Sequence, residues 1–252
     1  MTGPSFGLLG SGEFEAWTSE VDRRLLAGAT GDGRIIVLPT ASAPEGDEVF
    51  DRWAAMGLEH YASLGLAAEM LDVKTRVDAD DPGLAAAVEG ASMVFFSGGN
   101  PAYLAGTLAG TRLWAAVLAG LARGMAYAGC SAGVACLGEG APDSAQRDPN
   151  GEGFMRPGLG LFPATYFMPH WDALNTYIPG LRELLRAAVP DGRRIVTIDE
   201  NTAMVGDGAE WSILGAGSVG LVHEGSERTY GAGETFAEAL APRTAPGNAT
   251  GG

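Results

Sequence analysis

The fold turns on Ala126-Tyr127-Ala128-Gly129-Cys130-Ser131-Ala132-Gly133-Val134-Ala135-Cys136-Leu137-Gly138-Glu139, AYAGCSAGVACLGE. Met125 to Ala128 reads as a buried strand and Ser131 onward as a helix. Gly129 and Gly133 stand two residues before and two after Ser131, the spacing G-x-S-x-G. A strand that turns at once into a helix needs small neighbours, because the chain passes close to itself. The residue at the apex of such an elbow is strained and holds its side chain outward. Ser131 is that residue. Cys130 lies one position off and is expected to point away. Centring the frame on Cys130 would put Ala128 and Ala132 where glycines belong, a poorer fit. The helix start behind the apex, at Ala132, offers free backbone N–H groups and a positive dipole end, both suited to a developing oxyanion.

Outward from the elbow, short apolar runs alternate with longer amphipathic stretches. Phe6–Leu9, Arg34–Leu38, Ala67–Val73 and Ser92–Phe96 read as strands. Phe14–Ala27 and Asp47–Leu64 read as helices, and Tyr103–Gly124 as helical with a break near Gly110. Asp81 before Pro82 opens a short helix through Val88. This β-α-β-α order predicts an α/β fold with a mostly parallel sheet and helices on both faces. Ligands in such sheets sit at the carboxyl ends of the strands. The loops there are small or polar: Gly10-Ser11-Gly12-Glu13, Pro39-Thr40-Ala41-Ser42 and Ser97-Gly98-Gly99-Asn100. Glu13 and Asn100, with Trp171 further along, are expected against substrate.

The C-terminal half is less regular. Ala141–Gly160, rich in Gly, Pro and Asp, reads as a long surface loop. Leu161–Met168 and Ile195–Ile198 read as strands and Leu181–Val189 as a helix, while Trp211–Val222, with glycines inside, looks like antiparallel hairpin material. Residues 1–240 read as one domain and 241–252, rich in Ala, Pro, Thr, Asn and Gly, as a disordered tail.

With 252 residues, 46% of them hydrophobic, the chain can bury a sizeable core. A formal charge of -15 repels phosphate, so neither nucleic acid nor an anionic membrane is an expected partner. No run reaches the roughly 18 apolar residues of a membrane span, and the N-terminus lacks a signal peptide's basic start, so a cytoplasmic location is expected. Cys130 and Cys136 are the only cysteines, too few for a disulfide scaffold or a zinc site. Cys136 reads as core. No metal or cofactor is expected, and homodimerisation stays open.

A serine nucleophile needs a base, and the chain has 3 histidines. His60 falls mid-helix and reads as a partly exposed surface residue. His223 reads as the end of a strand. His170 follows a strand in Tyr166-Phe167-Met168-Pro169-His170-Trp171-Asp172, which puts it at the same carboxyl edge as Ser131. It is the expected base. The base needs an orienting acid, and Glu200, Asp172, Asp143 and Asp148 are candidates. Glu200 ends the strand of Val196-Thr197-Ile198-Asp199-Glu200, where a carboxylate is held better than in a loop, so it is preferred. Asp199 alternates to the other face and reads as a solvent or capping residue.

Together these pieces resemble the peptidase E and cyanophycinase family of serine peptidases, which has a class I glutamine-amidotransferase-like (flavodoxin-like) three-layer fold. LLGSGEFEAW, IIVLPTASAPEG, VFFSGGNPAYLAGTL, AYAGCSAGVACLGE, the Pro-His of FMPHWD and VTIDENTAMVGDGAEWSILGAGSV carry the likeness, over roughly residues 6–222. The resemblance implies Ser131 as nucleophile, His170 as base, and an oxyanion hole from the backbone N–H of Ala132 and of the Gly98-Gly99 turn. For the acid it implies Glu200 on the cyanophycinase pattern, Asp143 or Asp148 on the peptidase E pattern, and Asp172 on the amidotransferase pattern. Cyanophycinases carry an arginine-rich run after the histidine; here the run is Trp171-Asp172-Ala173-Leu174-Asn175, which argues against cyanophycin. The Pro-His pair is more like peptidase E, whose aspartyl dipeptides need a cation, for which Arg156 and Arg182 are candidates. The expectation is a serine exopeptidase of dipeptidase type acting on short or unusual peptides. The alternatives are a non-catalytic ligand-binding relative and an amidotransferase-like hydrolase working through Cys130.

Overall fold

The computed structural model describes residues 3–146, 148–188, 190 and 192–244. The chain begins with β1 (Ser5–Leu9), α1 (Ser19–Gly28), β2 (Ile35–Leu38), α2 (Asp47–Ser63) and β3 (Ala68–Met70). Two short helices, α3 (Arg76–Ala79) and α4 (Pro82–Ala87), lead into β4 (Met93–Phe96). The Asp81 carboxylate caps α4, accepting from the N–H groups of Gly83 and Leu84, with Pro82 in the first turn. Next come α5 (Pro101–Leu108) and α6 (Arg112–Ala122), parted at Gly110, whose φ of 73° suits the glycine placed there. Then follow β5 (Ala126–Cys130), α7 (Ala132–Ala135), β6 (Gly140–Pro142), β7 (Met155–Pro157), β8 (Thr165–Met168), α8 (Leu174–Tyr177) and α9 (Leu181–Ala188). The remainder is mostly β: β9 (Arg194–Ile198), β10 (Thr202–Gly206), β11 (Glu210–Gly215), β12 (Ser218–His223), β13 (Ser226–Gly231) and β14 (Thr235–Ala237).

The central sheet has 8 strands in the order β14-β11-β10-β1-β5-β4-β2-β3. β3, β2, β4, β5 and β1 are parallel, and β10, β11 and β14 extend the sheet antiparallel. Strand alternation divides the core into two layers. Phe6, Leu8, Ile36, Leu38, Val94, Phe96 and Tyr127 pack on one side with α5 and α6. Leu9, Ile35, Val37, Met93, Phe95, Ala128 and Cys130 pack on the other with Val21 and Leu25 of α1 and Tyr61 of α2. This is the three-layer α/β sandwich that the sequence pattern predicted. A second sheet of 4 strands, β13-β12-β9-β8, carries β8 and β9 side by side and parallel. No single helix among the described residues is long and apolar enough to cross a membrane.

Several expectations need correction. The first helix begins at Ser19, because Phe14 sits at a φ of 65° and a 3-10 turn over Ala16–Thr18 precedes it. The stretch Ala141–Gly160 is not simply loop: β6 and β7 pair within it. Trp211–Val222 is antiparallel, as expected, but its two strands do not pair with each other. β11 pairs with β10 and β14 in the first sheet, while β12 pairs with β9 and β13 in the second. Only Ala216 and Gly217 separate the two strands, so the chain changes sheets there. Leu240, the last residue of the expected domain, is buried, and just beyond it the Arg243 N–H donates to the Leu161 carbonyl at 2.7 Å. Residues 245–252, and Val189 at the end of the predicted last helix, lie outside the described residues.

His60 is also not a surface group. It is 8% exposed, with Nε2 2.8 Å from Asp22 Oδ2, and the Tyr61 hydroxyl donates to Asp22 Oδ1 at 3.3 Å. The cluster ties α2 to α1 on the helix face turned toward the sheet.

Candidate active site

The elbow has the form its sequence implies. Ser131 follows β5 directly at φ 51° and ψ -107°, outside the usual regions for a non-glycine residue. Its N–H donates to the Leu9 carbonyl at 3.0 Å, which holds the strained turn against β1. Both flanking glycines are sterically required. A Cβ on Gly129 would lie 2.5 Å from the Gly133 carbonyl oxygen, and one on Gly133 would lie 2.3 Å from the Phe96 carbonyl oxygen. Cys130 keeps the parity of Ala126 and Ala128, which turns it into the layer under α1 and α2.

β8 and β9, adjacent and parallel, deliver the partners. Each ends at the same edge, β8 into Pro169-His170 and β9 into Asp199-Glu200, and the Trp171 N–H donates to the Ile198 carbonyl at 3.1 Å. His170 sits at φ 54°, a turn that aims the ring back at the elbow. Its Nε2 is 2.8 Å from Ser131 Oγ and its Nδ1 is 3.0 Å from Glu200 Oε1. Asp199 points the other way and accepts from the N–H and hydroxyl of Ser218, the capping role expected of it. Asp172 does not contact the imidazole through any described hydrogen bond. It accepts from the Glu200 N–H at 2.8 Å and so fixes the Glu200 backbone. Asp143 binds Asn100 Nδ2 and the Ala145 N–H, and Asp148 binds the Asn150 N–H within its loop. Of the four carboxylates, Glu200 is the one brought to the histidine.

Gly99 lines the same pocket as Ser131. Among the described hydrogen bonds, the N–H groups of Ala132 and Gly99 have no protein acceptor. Gly99 sits at φ 141°, and a Cβ there would be 2.3 Å from the Ala41 carbonyl carbon. The Gly98 N–H is committed: it donates to Glu13 Oε1 at 3.0 Å. Gly98 is therefore corrected as a donor, and a Cβ there would press on Glu13 Oε1 at 3.1 Å.

The model of peptidase family S51 matches residues 6–214. The chain belongs to peptidase family S51. It is a hydrolase of the serine-peptidase type. It is 27% identical over 230 residues to a cyanophycinase of Geminocystis herdmanii, covering 88% of this chain and 81% of the relative. A cyanophycinase of Trichormus variabilis is 31% identical over 196 residues, 75% of this chain and 62% of that protein. The crystal structure of a peptidase from an acI-B1 Actinobacterium superposes with a TM-score of 0.85 at 29% identity, covering 94% of this chain and 98% of that one. A crystal structure assigned as a peptidase E protein of Listeria monocytogenes gives 0.59 at 18% identity, covering 90% and 98%, a likeness of fold.

In this S51 chain, three residues expected against substrate lie elsewhere. Glu13 is 7% exposed, beneath the site; Oε1 takes the Gly98 N–H and Oε2 takes the Cys130 thiol at 2.8 Å. It braces the Gly98-Gly99 turn instead of facing the cleft. Trp171 is 4% exposed, with the Arg182 guanidinium 4.9 Å from its ring centroid. Asn100 spends its side chain capping α5 at the Tyr103 N–H and holding Asp143. The Cys130 alternative is corrected as well. Its thiol is wholly buried, and burial followed by the nearby Glu13 carboxylate pushes it well above its ordinary value, so it is not a ready thiolate.

Tyr177 is the residue sequence reasoning missed. Its hydroxyl donates to Glu200 Oε1 at 2.9 Å, and its ring meets that of His170 edge-on at 5.9 Å. Nothing in its spacing marks it. A tyrosine 7 positions beyond a histidine acquires meaning only because α8 folds back over the end of β8. A pocket of about 350 Å³ opens from Ser131, Gly99 and His170 beneath α8 and α9.

Proposed function

We propose that this chain is a serine exopeptidase acting on short peptides, with Ser131 as nucleophile, His170 as general base and Glu200 as the orienting acid. The observation that carries the reading is the relay from Ser131 Oγ to His170 Nε2 at 2.8 Å and from Nδ1 to Glu200 at 3.0 Å. Glu200 accepts from Nδ1, which leaves Nε2 unprotonated and facing the serine hydroxyl. Oγ attacks the scissile carbonyl carbon as its proton passes to Nε2. The carbonyl π electrons move to oxygen, and the N–H groups of Ala132 and Gly99 receive that charge, each worth about 3 kcal/mol in comparable enzymes. The C–N bond then breaks and the amine leaves with the proton from Nε2. Water attacks the acyl-enzyme by the same route and restores Ser131. Tyr177 and Asp172 hold Glu200 in place. The size of the pocket, about 350 Å³, supports a small substrate.

The test is Ser131→Ala, with peptide turnover and labelling by a fluorophosphonate measured together. Loss of turnover by ~10⁴-fold or more is expected, with labelling abolished and the circular dichroism unchanged. Full turnover in the folded variant would refute the reading.

A further inference from the structure

Among the described residues that line the pocket at Ser131, none carries a fixed charge to greet an aspartyl or arginyl side chain. Phe154, Phe167, Met168, Leu174, Ile178 and Leu181 form its walls. Among the described residues that line it, only Ser131, Ser144, Gln146, His170 and Tyr177 carry polar side-chain groups, and none is Lys, Arg, Asp or Glu. The two arginines considered from sequence are placed elsewhere. Arg156 lines a separate groove with Asn100, Tyr103 and Asp143. Arg182 lies over the Trp171 ring, and neither residue is part of the pocket lining. A carboxylate or guanidinium entering the pocket would lose water and gain no ionic partner among the described lining residues, whereas an apolar side chain would gain from leaving water.

We infer that the residue whose carbonyl acylates Ser131 carries a large apolar side chain of the Leu, Met or Phe class, and that this pocket holds it. The inference rests on the serine-peptidase reading. The pocket is continuous with the reacting atoms: Ser131 and Gly99 form one end of it, and Ala135, one turn along from Ser131, is part of its lining. An acyl group on Oγ therefore lies over apolar walls. The specificity is set by α8, α9 and Phe154, none of which belongs to the elbow. The substrate is a peptide with a hydrophobic residue on the acyl side of the cut, not an aspartyl dipeptide.

Diphenyl phosphonates built on leucine, phenylalanine, aspartate and arginine test this. In each, Ser131 Oγ bonds to phosphorus, phenoxide departs with the electron pair of its P–O bond, and the serine proton goes to His170. Second-order rates are followed by intact mass, and the modified residue by peptide mapping. The leucine and phenylalanine probes are expected to label Ser131 at least about tenfold faster than the aspartate and arginine probes. Ile178→Arg, at a half-buried wall position, is expected to shift the leucine-to-aspartate rate ratio about tenfold toward aspartate. Equal or faster labelling of wild-type Ser131 by the aspartate or arginine probe overturns the apolar pocket and leaves the serine nucleophile standing. An unchanged ratio in folded Ile178→Arg overturns the pocket's assignment in the same way. Failure of every probe to modify Ser131 in folded protein overturns the nucleophile, and the pocket proposal with it.

Discussion

Ser131 and Glu200 owe their placement to different physical causes. The strained φ of 51° at Ser131 is held by the Leu9 carbonyl and by two glycine contacts that leave no room for a side chain. Glu200 is held by its neighbours, Asp172 at its N–H and Tyr177 at its carboxylate. Glu200→Gln keeps the shape of the side chain but removes its charge and its fixed preference for the Nδ1 proton. Its kcat is expected to fall by on the order of 10³ to 10⁴. Asp143→Asn, whose target only supports Asn100, is expected to lose less than about tenfold. Steady-state kinetics of the pair decide between the two acids, and the opposite ranking would assign the role to Asp143. Tertiary contacts lower the Asp143 carboxyl from its ordinary 3.8, the Asn100 side chain contributing most. The stability it contributes is complete above that ordinary value and fades as pH falls through the lowered one. Deep acid should therefore loosen the Asn100 loop.

At the scale of elements, the elbow and α5 offer a matched contrast. Gly133→Ala drives a methyl to 2.3 Å from the Phe96 carbonyl, where backbone must move. A loss of ~2 kcal/mol or more is expected from such overpacking. Gly106 lies in α5 with no left-handed φ, and a methyl added there would meet nothing within 4 Å. Gly106→Ala is expected to stabilise by ~0.5–1 kcal/mol, because alanine favours helix and narrows the unfolded ensemble. Urea midpoints of the two variants check both signs, and similar midpoints would sink the steric account of the elbow. The pairing of α1 with α2 has the same character. Asp22 is 1% exposed and serves both His60 and Tyr61, a buried junction between two helices that hydrophobic periodicity alone does not announce.

Over the whole molecule, burial of weak acids ties stability to alkaline pH. Cys130 and Cys136 are pushed above the ordinary thiol value of 9.0, and Tyr61 and Tyr127 well above the ordinary phenol value of 10.0, burial being the largest cause in each. Below about 8 these groups are protonated in both folded and unfolded chains and contribute no slope. As pH rises past the ordinary values, the unfolded chain loses protons that the folded chain keeps, so stability falls. Urea midpoints are expected to be flat from neutrality to about pH 8 and to decline above it; a rising midpoint there would contradict the burial of these groups. A thiol reagent should find neither cysteine in native protein and both after unfolding. The sequence alone determined the parallel α/β core, the elbow at Ser131, and His170 and Glu200 as residues at strand ends. Each of these is written in periodicity, in glycine spacing or in the parity of a strand, properties of neighbouring residues. Only the tertiary structure decided that β11 and β12 part into different sheets, that His60 and Glu13 are buried supports, that Tyr177 reaches the acid, and that the pocket is apolar. Those facts depend on partners brought together across long stretches of chain, as Ser131 and His170 are across 39 residues, and no local pattern encodes which distant faces will meet.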